Sequence, residues 1–119
     1  MHWYIAKLVF RIICGDGDHT PQFDEQLRLI EALDASEAFK KAASLGTGEE
    51  DVFVNDRQKM VQWQFINVAE LYKLSALIDG AEIYSRIQEV DNAGLHTEII
   101  HKKAANIRAH IKEPFLELY

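Results

Sequence analysis

With 119 residues, 48% of them apolar and 27% charged, the chain has the size and make-up of one ordered domain, 1–119, which excludes intrinsic disorder, collagen and coiled coil. Its formal charge of −6 opposes the attraction to phosphate behind non-specific nucleic-acid binding, so neither nucleic acid nor an anionic membrane is an expected partner. The single cysteine, Cys14, excludes an intramolecular disulfide, and the apolar run Leu8 to Cys14 is broken by Arg11 and preceded by Lys7, so it is neither a membrane span nor a signal segment; a reducing cytoplasm is the expected setting.

From His2 to Cys14 the residues alternate in two rows, which predicts a long strand. Tyr4, Ala6, Leu8, Phe10, Ile12 and Cys14 form a wholly apolar row that faces the core. The other row, Trp3, Ile5, Lys7, Val9, Arg11 and Ile13, is apolar except for two cations, too apolar for a face open to water. Gly15, Asp16, Gly17 and Asp18, followed by Pro21, supply turn chemistry. A second strand, Gln22 to Ala32, carries Phe23, Leu27 and Leu29 on one face and Gln22, Asp24, Gln26 and Arg28 on the other. Matching apolar to apolar across a hairpin then pairs even positions of the first strand with odd positions of the second. That register sets Phe10 near Leu27 and places Arg28, Asp24, Gln26 and Ile30 on the outer face with Lys7 and Arg11.

Asp34 and Glu37 have the spacing of a capping box. The helix they open presents Ala35, Ala38, Phe39, Ala42 and Leu45 at helical spacing, with Glu37 and Lys41 as a pair on its surface and Gly46 as a left-handed cap. Val52 to Val54 and Val61 to Phe65 predict a second hairpin through Asn55 to Lys59. Beyond Phe65 the apolar phase slips by one position, which predicts a bulge near Ile66 and Asn67. Asp79 and Gly80 form a turn into a fifth strand, Ala81 to Val90. Leu95, Ile99, Ile100, Ala104, Ile107 and Ile111 recur at helical spacing from Asn92 to Lys112, and Pro114 stops the run before the apolar segment Phe115 to Tyr119. The expected fold is α+β, a five-stranded, mainly antiparallel sheet in the order β-β-α-β-β-β-α with the helices mostly on one face.

Trp3, Tyr4, Ala6, Lys7 and Leu8 at the start, Leu29, Glu31 and Ala32 before an Ala-rich helix ending at Gly46, Trp63, Phe65 and Val68, and Asp79, Gly80, Glu82, Tyr84, Ser85 and Arg86 together resemble a bacterial family of unknown function, DUF4288. The resemblance implies a fold for residues 1–90 and assigns no activity; residues 91–119 look like an extension. Asn67 departs from the glycine expected in such relatives.

The sequence carries no nucleophile elbow, no phosphate-binding loop and no dinucleotide fingerprint, and we expect neither a cofactor nor catalytic residues. The loop from Gly15 to His19 groups two carboxylates and an imidazole, yet lacks the full ligand series of a calcium loop. Glu98 and His101 share a helical face, as in carboxylate-bridged metal bundles, but only a single such pair is present, and His96 and His101 are not at zinc-ligand spacing. No metal is expected. The candidate interaction surface is the outer sheet face, Trp3, Ile5, Lys7, Val9, Arg11 and Arg28, which predicts a non-enzymatic interaction protein that meets a second copy of itself or another protein. An alternative is a small-molecule or enzymatic pocket containing Trp63, Tyr84 and Arg86; a third reading, from size and acidity, is an immunity-type protein.

Overall fold

The computed structural model describes residues 1–111. Two compact units are present, Met1–Ser85 and Arg86–Tyr119. In the first, strands β1 (His2–Cys14) and β2 (Gln22–Ala32) precede helix α1 (Ala35–Gly48), and β3 (Asp51–Val54) and β4 (Met60–Lys73) follow it. The strands form one antiparallel sheet in the order β2-β1-β4-β3, curled into a half-barrel.

β1 is the central strand, and its even row is the core. Tyr4, Ala6, Leu8 and Phe10 are buried with Ile30 and Ala32 of β2 and with Ala38 and Ala42 of α1, so α1 lies on the even face as the periodicity predicts. Asp34 caps the helix by accepting the Glu37 N–H at 2.8 Å. Lys41, expected to pair with Glu37, donates to the Glu31 carbonyl at 2.9 Å.

Two expectations fail here. The β1–β2 register is even with even: Tyr4 lies opposite Ile30, Leu8 opposite Gln26 and Phe10 opposite Asp24. Leu27 and Leu29 therefore turn outward, 52% and 53% exposed, and Phe39, on the apolar stripe of the helix, is 44% exposed. The polar row of β2 tolerates the helix side because it is hydrogen-bonded there. Gln26 donates to Asp24 at 2.6 Å, Arg28 to Gln26 at 3.0 Å, and Arg28 makes a two-pronged bond to Glu49 at the end of α1, 2.7 and 2.8 Å. A satisfied polar row beside a helix removes the desolvation penalty on which apolar-to-apolar matching relied.

The fifth strand is also absent. Gly80 adopts a positive φ and Ala81 N–H bonds to the Ile78 carbonyl at 3.0 Å, so the turn forms, but residues 81–90 form no strand. The alternation there does not translate into burial: Ile83 is 49%, Val90 43% and Ile87 97% exposed. Tyr84 finds an aromatic partner in the ring of Tyr72.

The slip in β4 is real and double. Register shifts between Lys7 and Leu8 and between Val9 and Phe10 leave Ile66 and Ala69 without partners on β1. Phe65, Val68 and Leu71 thereby reach the helix-facing side at intervals of three residues and pack on the core. Gly46 lies inside α1, not at its cap, and a Cβ there would stand 2.3 Å from the Phe65 ring. It is glycine because the helix crosses an aromatic ring at that point.

The second unit contains α2 (Ala93–His110). Asn92 caps it by accepting the Leu95 N–H at 3.0 Å, and none of its residues is buried. Pro114 and the segment from Phe115 to Tyr119 lie outside the described residues. No helix among the described residues is long and apolar enough to cross a membrane.

Replacing Phe10 by Ala is expected to cost about 3–5 kcal/mol, whereas Leu27→Ala should stay within about 1 kcal/mol, both read by denaturant unfolding. Gly46→Ala adds helix propensity of about 1 kcal/mol but overpacks the Phe65 ring at about 1–3 kcal/mol, so a net loss is expected. Gly48→Ala, with nothing within 4 Å, should instead raise stability.

Candidate functional site

The outer face is more apolar than its sequence pattern suggests. Across β1 and β2 it carries Ile5 opposite Leu29, Lys7 opposite Leu27, Val9 opposite Glu25 and Arg11 opposite Phe23. β4 adds Tyr72 beside Ile5, Glu70 beside Lys7, Asn67 beside Val9 and Gln64 beside Arg11. Of the six residues proposed for this surface, Trp3, Ile5, Lys7, Val9 and Arg11 lie on it, and Arg28 lies on the opposite face, bound to Glu49. Phe23, Leu27 and Leu29 replace it. They were missed because register parity, on which their facing depends, is not readable from either strand alone.

The face is partly covered by its own chain. Ile5 is only 6% exposed, and Tyr84 packs edge-on against Tyr72 with ring centroids 5.4 Å apart. The β2 side remains open: Phe23 is 56% exposed, close to the values of Leu27 and Leu29.

Within this apolar surface stands a compact polar group. Lys7 Nζ lies 2.6 Å from Glu70 Oε2 and 3.8 Å from Glu25, and the Tyr72 hydroxyl donates to Glu70 Oε1 at 2.6 Å. One carboxylate thus holds an ammonium on one oxygen and a phenol on the other. The bond to Glu70 raises the Lys7 pKa above its ordinary value, partly opposed by desolvation, and the carboxylate of Glu25 adds to the rise. Glu70 likewise raises the Tyr72 pKa, with desolvation in the same direction. These groups satisfy one another, so together they anchor β1, β2 and β4 on this face. Glu70 and Tyr72 alternate in sequence as a same-face pair, a signal obscured by the two bulges upstream.

Trp63 and Tyr84 stand on opposite faces of the sheet: Trp63 faces the helix side and packs on the core, and Tyr84 lies against Tyr72 on the outer side. Arg86, in the second unit, donates to Gln88 at 2.6 Å. At the β1–β2 turn an open depression of about 640 Å3 is lined by Cys14, Asp16, Asp18, His19, Gln22 and Lys59. Its imidazole is engaged on both sides. His19 Nε2 accepts the Cys14 N–H at 3.0 Å and Nδ1 meets the Thr20 carbonyl at 2.9 Å, an arrangement that a neutral ring protonated on Nδ1 satisfies. Asp16 accepts the Asp18 N–H at 3.0 Å. Gly15 and Gly17 adopt positive φ there, so the loop composition serves the turn. Among the described residues, no three of His, Cys, Asp and Glu stand close enough to share a metal ion.

A family model described as Domain of unknown function (DUF4288) matches residues 3–85. The chain belongs to this family. The match ends where the first compact unit ends, at Ser85, so the DUF4288 domain coincides with the sheet, α1 and the segment that brings Tyr84 onto Tyr72. No curated protein and no solved structure matches the chain. In this DUF4288 domain Asn67 sits between the bulges, where its side chain accepts the Val68 N–H at 2.8 Å.

The pKa directions set a pH dependence. Both Lys7 and Tyr72 are raised on folding, so their contribution to stability is complete below their ordinary values of 10.5 and 10.0 and is lost as pH rises through the folded values. Stability should therefore fall above about pH 10 in the wild type. Glu70→Gln should flatten that alkaline limb, as measured by denaturant midpoints across pH 8–11.

Proposed function

We propose that this DUF4288 domain is a non-enzymatic interaction module that binds a second copy of itself through the outer sheet face. The observation that carries this reading is the open apolar row of β2, Phe23, Leu27 and Leu29, adjoining Val9 and Ile5 on one continuous side of the sheet. Exposed apolar area of this kind usually marks a contact. The cation in its midst does not oppose burial: Lys7 is already paired with Glu70 and Glu25, so covering it leaves no unpaired charge. Arg11 and the carboxylates Glu25 and Glu31 lie on the same face, giving a two-fold contact groups of both signs to oppose. A half-buried lone thiol, Cys14, suits a reducing cytoplasmic setting.

Light scattering at micromolar concentration is the direct test. The wild type should scatter as a dimer, and Val9→Asp or Val9→Lys, each placing a charge in the centre of the face, should give monomers with unchanged circular dichroism. A wild type that is monomeric throughout, or a dimer indifferent to both substitutions, overturns the reading.

A further inference from the structure

Backbone geometry points to a second contact, at the sheet edge and distinct from the face, resting on that reading only in taking a second copy as the partner. The direction of each backbone group on β1 can be read from its two ends. The Leu74 N–H bonds to the Trp3 carbonyl at 2.8 Å, and the Gly15 N–H bonds to the Met60 carbonyl at 2.7 Å, so odd residues of β1 direct their backbone groups toward the β4 side. Even residues therefore face β2, where Tyr4, Ala6, Leu8 and Phe10 oppose Ile30, Arg28, Gln26 and Asp24. Phe23, Glu25, Leu27 and Leu29 in turn direct their N–H and C=O groups away from β1. In the order β2-β1-β4-β3 that edge has no neighbouring strand among the described residues. It runs through an 11-residue strand that contains no proline and no lysine, and every one of these outward residues is exposed. Natural sheets commonly blunt such an edge with those residues.

We propose that two copies of the chain join β2 to β2 in antiparallel register about Gln26, making one continuous eight-stranded sheet. A two-fold axis normal to the sheet pairs residues whose numbers sum to a constant, and the side chains discriminate between centres. About Gln26, Asp24 opposes Arg28 of the second copy and Phe23 opposes its Leu29, each twice, while Glu25 opposes Leu27. Centring on Asp24, Glu25 or Arg28 sets like charges directly opposite each other, which destabilises a pair. Centring on Leu27 gives no repulsion but also no opposite-charge pair. Arg28 has five N–H donors and directs bonds to Gln26 and Glu49 within its own chain, so donors remain for a carboxylate across the edge.

The register makes Gln26 its own partner at a position not hydrogen-bonded across the edge, where Cα atoms stand about 4.5 Å apart, within disulfide reach. In a Cys14→Ala background, Gln26→Cys should oxidise to a covalent dimer well ahead of Leu27→Cys, whose diagonal separation of roughly 7–8 Å is too long. Leu27→Pro removes an outward N–H without touching the β1 ladder, and its apparent mass by light scattering should fall to that of one chain. Equal oxidation of the two cysteine variants, or a dimer that survives Leu27→Pro, overturns the edge proposal. If the Val9 variants disrupt that surviving dimer, the face reading stands alone; if Leu27→Pro separates a dimer that the Val9 variants leave intact, the edge stands and the face reading falls. A monomeric wild type removes both. Should Leu27→Pro lose its circular dichroism, the cysteine comparison decides.

Discussion

The close approach of α1 to the sheet is the constraint on which the rest of the first unit depends. Ala38, Ala42 and Gly46 are the buried residues of the helix, and Gly46 leaves room for the Phe65 ring where any side chain would collide with it. Phe65 stacks in turn on Phe10, tilted at 5.4 Å between centroids, so the helix, the central strand and β4 meet at one aromatic pair. The double bulge follows from this. Without Ile66 and Ala69 set out of register, Val68 would not share the side of Phe65, and Asn67 and Ala69 would stand between Phe65 and Leu71 in its place. Each bulge also increases local twist, consistent with the curl of the sheet.

The same geometry divides the polar chemistry between two faces. On the helix side, the row Asp24, Gln26 and Arg28 closes the core at the β2 edge and ties it to Glu49, whose carboxyl is held below its ordinary pKa by the guanidinium. On the outer side, Glu70 holds Lys7 and Tyr72 together. Both groups are internally paired and both are partly exposed, so their value lies in fixing register and position more than in net stability. This arrangement lets an apolar surface contain a lysine without leaving that lysine a reason to stay in water.

Much of this was legible in the residues. The alternation of β1, the Asp34 cap, the hairpin through Asn55 to Lys59, the slip near Ile66 and the C-terminal helix all rest on local signals, because a strand period, a cap and a turn are decided within a few residues. What was not legible depended on partners distant in sequence. The facing of Leu27 and Leu29 turned on whether Arg28 could find Glu49, 21 positions away. The role of Gly46 turned on a ring in β4, and a glycine near a helix end reads more simply as a cap. The alternation from Ala81 to Val90 met the pattern for a strand, but alternation alone does not supply a strand to pair with.

Register parity links these points to function. Shifting β2 by one residue would exchange its two rows, sending Phe23, Leu27 and Leu29 beneath α1 and turning Asp24, Gln26 and Arg28 out to solvent, the surface of an ordinary monomer. The observed parity does the reverse, keeping apolar side chains on the open face while the polar row is hydrogen-bonded within itself and to Glu49. A core-forming drive alone would favour the first arrangement, since it buries more apolar area. That the chain adopts the second means the Arg28–Glu49 pair and the fit of Ile30 and Ala32 against Ala38 and Ala42 outweigh that drive. The exposed apolar row is therefore a feature the fold maintains against the simplest hydrophobic expectation, and covering it in a complex would recover the burial that the monomer forgoes.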